Sequence, residues 1–254
     1  MKKRLSRGRP YNPGVDNRTA RVGVFWRVSC TVIVVIMVQT IVCGLGALPV
    51  LLLWMELLRA LPENEMLRAA VLSASIVPSY VLFALSLMIF TPIATRLTGA
   101  RTPANAELRI ADVSWPLMRW ARYMVAIHMV RILAGPIFRA SPIFTFYLRL
   151  NGARLGQRVY VNTLFISDHN MLDFGDDVVI GSEVHLSGHT VERGFVKTGT
   201  VRLAKNVTIG LGAVIDIDVE AGEGCTVGAM SLVPKHTKLE AGAVYAGIPV
   251  KRIG

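Results

Sequence analysis

His189 stands in a segment that breaks an otherwise regular pattern, GHTVERGFVKTGT at residues 188–200. Two short polar stretches fall at matching places on either side of it: Asp168, His169 and Asn170 before, and Asp216, Ile217 and Asp218 after. An imidazole with an unperturbed pKa of about 6.5 can take a proton from a hydroxyl or an amine at neutral pH. A carboxylate beside it, from Asp168, Asp218 or Glu192 of the segment itself, would hold one tautomer and favour the cation. Aspartates at these places also have a plainer use, because turns select them for backbone geometry alone.

The elements that must position these groups are hexapeptide repeats. Aliphatic residues recur every six positions at Leu203, Ile209, Ile215, Ala221, Val227, Val233 and Leu239, and small residues follow four positions later, from Val207 to Ala243. The phase returns upstream at Phe174, Ile180 and Leu186, and more loosely at Leu155 and Val161. A period of six held this long predicts a parallel β-helix in which three repeats make one triangular coil and each coil buries the face of the next. From Leu186 to Leu203 is seventeen residues, eleven more than one repeat. Removing those eleven puts Asp216, Ile217 and Asp218 one coil above Ser187, Gly188 and His189. Counting back eighteen from Leu186 puts Asp168, His169 and Asn170 one coil below. Coils stack at about 4.8 Å, within side-chain reach.

Composition places this coil at a membrane. Of 254 residues 52% are hydrophobic and the mean hydropathy is positive, too apolar for an ordinary water-soluble domain of this size. Residues 1–23 read as a basic cytoplasmic tail and 24–95 as a transmembrane hairpin, with spans at about 28–54 and 69–95. Residues 96–149 read as a linker and amphipathic helices lying in the interface, because Arg119, Arg122, Arg131, Arg139 and Arg149 interrupt apolar runs too short to cross. Residues 150–254 are the repeat domain, with 188–200 inserted. Eight Lys/Arg against one acid in 1–27, and eight against two in 96–149, put both ends of the hairpin in the cytoplasm. The repeat domain is nearly neutral, so the high pI belongs to the membrane flanks and nucleic acid is not the expected partner. Cys30, Cys43 and Cys225 show no partner spacing, no metal-ligand spacing appears, and no phosphate loop or serine-nucleophile motif is present.

The repeats, the looped-out histidine and the closing segment VGAMSLVPKHTKLEAGAVYAGIPVKRIG resemble the hexapeptide-repeat acyltransferases of left-handed β-helix fold, a superfamily that includes sugar and serine O-acetyltransferases. AGIPVKRI is similar to their closing AGNPAKxI, with Ile248 in place of the usual Asn. The helical run of 115–149 followed by the coil also resembles the membrane C-terminal region of nonribosomal poly-amino-acid synthetases. The resemblance implies an all-β left-handed parallel β-helix, a homotrimer, acetyl-CoA as acyl donor between neighbouring coils, and His189 as general base; the coil count, apart from any family, makes His169, Asp168 and Asp218, and the loop makes Glu192, its candidate helpers. Backbone around Gly210, Gly212, Ala213, Gly228 and Ala229 could flank a pantetheine arm, and Lys235, Lys251 and Arg252 could meet its phosphates. The expected activity is O- or N-acetylation of an envelope or lipid-linked saccharide-type acceptor at the inner membrane. The alternative is a non-catalytic trimeric scaffold beside a membrane polymer synthetase or transporter.

Overall fold

The computed structural model describes residues 17–254, with side chains from Val22 onward, so most of the expected tail lies outside the described residues. Helix α1 (Asn17–Ala60) takes in the last residues of that tail. Helix α2 (Glu65–Leu97) returns antiparallel after a turn in which the Asn64 side chain accepts from the Leu67 amide at 3.0 Å. Both are long and apolar enough to cross a membrane. Helix α1 is apolar on all sides, and Ile33, Ile36, Leu48, Leu51 and Leu52 face outward.

Helices α3 (Trp115–Leu133), α4 (Gly135–Phe138) and α5 (Pro142–Leu150) fill the stretch expected to lie along an interface. Part of each packs against protein. Leu117, Tyr123, Ile127 and Val130 of α3 are buried, and Tyr147 and Leu148 of α5 close the bottom of the coil. A coil cannot leave its terminal apolar layer bare, and α5 supplies the cap. Nor is the preceding stretch a simple linker. Glu107–Arg109 forms a strand antiparallel to Phe195–Thr198, which pairs in turn with His189–Glu192. The inserted loop is therefore a hairpin made into a three-stranded sheet by a segment some ninety residues upstream.

The coil has three parallel faces. Strands at 154–155, 172–174, 201–203, 220–221 and 238–239 build one, and those at 160–161, 179–180, 208–209, 226–227 and 244–246 build the second. Those at 185–186, 214–215 and 232–233 build the third, and Ile166 bridges to Leu186 below them. Ile209 pairs with Val227, Ile215 with Val233 and Ala221 with Leu239, the expected eighteen-residue step. The inward aliphatics form a continuous buried stack from Val161 through Ile180, Ile209 and Val227. The lowest coil departs from the step. Val161 pairs with Ile180 and Ile166 with Leu186, offsets of nineteen and twenty, so one or two extra residues bulge out there.

Candidate active site

The bulge places Asp168. Ile166, not Asp168, lies below Leu186, and the chain turns outward through Asp168 in the left-handed region (φ 52°, ψ 50°) before a short 3-10 turn at His169–Met171. A non-glycine residue held there is uncommon, and Asp is among the side chains that tolerate it. Gly188 sits directly against this bend. A Cβ added to it would stand 2.7 Å from the Asp168 Cβ and 2.6 Å from that of Met171, so only glycine admits the approach.

Across that contact His189 Nδ1 meets Asp168 Oδ2 at 2.5 Å, with Asp168 fully buried and His189 partly exposed. The carboxylate is saturated with donors. Oδ1 accepts from Thr102 Oγ1 at 2.5 Å and from Trp120 Nε1 at 3.1 Å, while Oδ2 also accepts from Ser167 Oγ at 2.9 Å. Burial alone would raise the Asp168 pKa, but the hydrogen bond and charge of His189, then Thr102 and Ser167, hold it below the usual carboxylate value. An ionised, buried carboxylate fixes the proton on Nδ1 and leaves Nε2 with its lone pair, the form that accepts a proton. The Trp120 ring stands edge-on to the imidazole with centroids 5.0 Å apart, and the Ser187 hydroxyl donates to the His189 carbonyl at 2.8 Å. Both contacts restrict ring and backbone.

The other expected helpers are elsewhere. Glu192 does not touch His189. It pairs with Lys197 at 2.8 Å and Lys235 at 2.5 Å, and those lysines, Lys197 first, lower its pKa to about 2. Along the hairpin it sits three residues past His189, at the exposed end, where the Lys side chains reach it first. Asp218 is a turn residue with φ 54°. Its Oδ1 accepts from the Thr200 amide at 3.0 Å and Oδ2 lies 3.2 Å from His236 Nδ1, so it anchors the far base of the insertion. Asp216 Oδ1 accepts from the Ile217 amide.

His169, expected near the site one coil below, is buried in the core side of the bulge. It lies edge-on between Tyr147 (5.5 Å) and Tyr123 (6.3 Å), and its Nδ1 has no partner among the described residues. Burial depresses its pKa to about 4 against some help from Asp168, so it is neutral at pH 7. Because the folded value lies below the unfolded one, the unfolded chain takes up this proton first as pH falls. Stability is thus full above about pH 6.5 and declines down to about pH 4, by about 3 kcal/mol from this residue. His169→Phe is expected to flatten that part of a stability-versus-pH curve measured by denaturant titration. An unchanged slope would refute it.

Among the expected donor-binding groups, the Ala213 side chain is fully buried in the coil. The amides of Gly210, Gly212 and Gly228 donate to Val227, Ser182 and Tyr245 carbonyls, which removes them as oxyanion donors. Ala229 is exposed at a corner. Lys235 is held by Glu192, and Arg252 pairs with Glu240 at 2.5 Å in a strand that includes Lys251 and ends the second face. Residues that sequence reasoning did not find, Thr102, Trp120 and Ser167, surround Asp168. Only Ser167, its chain neighbour, left any signal.

A hexapeptide-repeat β-helix in which an inserted hairpin sets a histidine against an aspartate of the coil below is the class that fold and site define. No family model matches the chain. It is 34% identical over 107 residues, 39% of its length, to galactoside O-acetyltransferase of Escherichia coli (strain K12), covering 52% of that protein. It is 26% identical over 149 residues, 58% of its length, to the delta-poly-L-ornithine synthetase of Acinetobacter baumannii (strain AB307-0294), covering 11% of that protein. The chain thus spans about half or less of the curated relatives it matches. Among solved structures it is similar to a hexapeptide-repeat acetyltransferase from Vibrio cholerae O1 biovar eltor complexed with acetyl coenzyme A, at 20% identity and TM-score 0.37 over 41% of this chain and 60% of that one. By name these relatives are an O-acetyltransferase, a poly-amino-acid synthetase and a hexapeptide-repeat acetyltransferase.

Proposed function

We propose that this protein is a membrane-anchored acyltransferase that moves an acyl group, most simply acetyl, from coenzyme A to a hydroxyl or amine. The observation that carries the reading is the buried, fully hydrogen-bonded Asp168 on Nδ1 of His189. His189 Nε2 takes the proton from the acceptor as it attacks the thioester carbonyl. The tetrahedral intermediate collapses with expulsion of the coenzyme A thiolate, and the imidazolium returns the proton to that sulfur. Asp168 orients the ring and stabilises the cation that forms in between. The donor lies along the coil beside the hairpin, in a homotrimer whose contacts include the exposed Leu211, Val214 and Met230.

The anchor is the α1–α2 hairpin in the inner membrane, with both termini cytoplasmic. The outward apolar face of α1 supports it, as does the exposed row of Trp115, Val125, Ile132, Ile143 and Phe146 along α3 and α5. An acceptor tied to the envelope, such as a lipid-linked saccharide, suits a coil held this close to the surface. The test is coenzyme A release by the purified full chain with acetyl-CoA and candidate acceptors, against His189→Ala. Turnover that survives in the folded variant overturns the assignment.

A further inference from the structure

A cavity of about 440 Å³ opens where the end of α2, the segment after it, α3 and the start of the coil meet. Arg96, Arg101 and Arg119 line it, and no Asp or Glu does. Arg101 also lines the neighbouring cavity, whose other two arginines are matched: Arg154 by Asp173 at 3.5 Å and Arg202 by Glu220 at 3.0 Å. Three guanidiniums around one unneutralised space favour an anion, and their planar donors suit phosphoryl oxygens.

Two buried side chains on the same wall want partners. Among the described residues the Tyr123 hydroxyl, approached by the His169 and Asn170 backbone amides, has no acceptor for its proton, and Asn151 Oδ1, whose amide orientation is set by Nδ2 donating to the Tyr147 carbonyl at 2.9 Å, has no donor. Orphaned buried polar atoms are destabilising, and a bound group would satisfy them. Tyr123 offers a donor to the anion; Asn151 offers an acceptor, which calls for a hydroxyl on the same ligand. The crevice between α1 and α3 that meets the cavity at Thr95 and Ala100 is lined by Gln39 and Arg122 as well as Val34, Val38 and Ala126, and at about 10 Å³ it is too small for a hydrocarbon chain. Anion and hydroxyl thus have adjoining places.

We propose that this cavity binds a lipid headgroup that carries a phosphodiester and a hydroxyl, a reading that rests on the membrane anchor proposed above, with Arg101 and Arg119 on the phosphate, Tyr123 and Asn151 completing the polar contacts, and the hydrocarbon chains outside the cavity. The binding stands apart from acyl transfer and is read without turnover. It also touches the catalytic supports: Arg119 precedes Trp120, Arg101 precedes Thr102, and the Asn170 amide that lines the cavity donates to the Thr102 carbonyl at 2.9 Å.

The test is titration of dioleoylphosphatidylglycerol into the full chain in mild detergent, followed by native mass spectrometry. One lipid is expected to be retained in preference to dioleoylphosphatidylcholine. Arg101→Gln with Arg119→Gln should weaken retention at least tenfold, while Arg193→Gln with Lys205→Gln, the same change of charge elsewhere, leaves it as in the parent. Tyr123→Phe should weaken retention a few-fold without lowering the melting temperature of the lipid-free protein. Parent-like retention in the Arg101/Arg119 variant, or equal weakening in the control pair, overturns the site. Competition by glycerol 3-phosphate or inorganic phosphate at the same concentration as the lipid overturns the lipid as its source.

Discussion

Asp168→Asn is expected to slow coenzyme A release by about 10³–10⁴-fold while the coil stays folded. The amide cannot act as the ionised acceptor for Nδ1–H, so the imidazole loses the partner that selects its base form and stabilises its cation. Asn tolerates the left-handed backbone at this position, which protects the bend itself. It does turn an NH₂ toward one pair of donors, either Ser167 and His189 or Thr102 and Trp120, at a cost of about 1–3 kcal/mol in stability. His189→Ala should lose a comparable amount of rate, and the double variant no more than the worse single one, because the two side chains act as a unit. Additive losses would show that they work separately. A parent rate in Asp168→Asn would reduce Asp168 to a turn residue. The stability that Asp168 brings by holding its proton loosely has a definite sign: its folded pKa is depressed, so the contribution is present above the unfolded carboxylate value of about 3.9 and is lost as pH falls below it.

Gly188→Ala is expected to lower turnover by about 100-fold, with a fall in melting temperature. The new methyl would stand 2.6 and 2.7 Å from the Cβ atoms of Met171 and Asp168, which are fixed to the main chain and cannot swing away. The hairpin or the bulge must therefore move, and a shift of about 1 Å at reacting groups costs on the order of 10² in rate. Overpacking of this kind also costs about 1–3 kcal/mol. Gly194, at the hairpin tip with φ +80°, is the control, since nothing lies within 4 Å of a Cβ there. Gly194→Ala strains the tip without reaching the Asp168–His189 pair, so it should lower stability and spare the rate. Equal rate losses at both glycines would mean that hairpin stability alone, not the register at Gly188, governs activity.

Much of the coil was legible because a repeat is a nearest-neighbour object. Each inward aliphatic stacks on its equivalent one coil away, so a period of six is enough to name Ile180, Ile209 and Val227 as core and to find the insertion by its count. The two long apolar helices were legible for a similar local reason. The lowest coil was misread by two residues, because counting assumes a constant step and a bulge breaks it. That slip put His169 at the site and in fact buries it between Tyr123 and Tyr147.

The sequence by itself determined the architecture, the place of His189 on an insertion and the presence of carboxylates near it, all of which follow from period and spacing. Only the tertiary structure decided which carboxylate the imidazole keeps. Asp168 wins because the bulge buries it among donors from residues 48 and 66 positions away, whereas Asp218 is taken by Thr200 and His236, and Glu192 by two lysines. Hydrogen-bond competition is settled by distance and burial, and neither is written in a six-residue period.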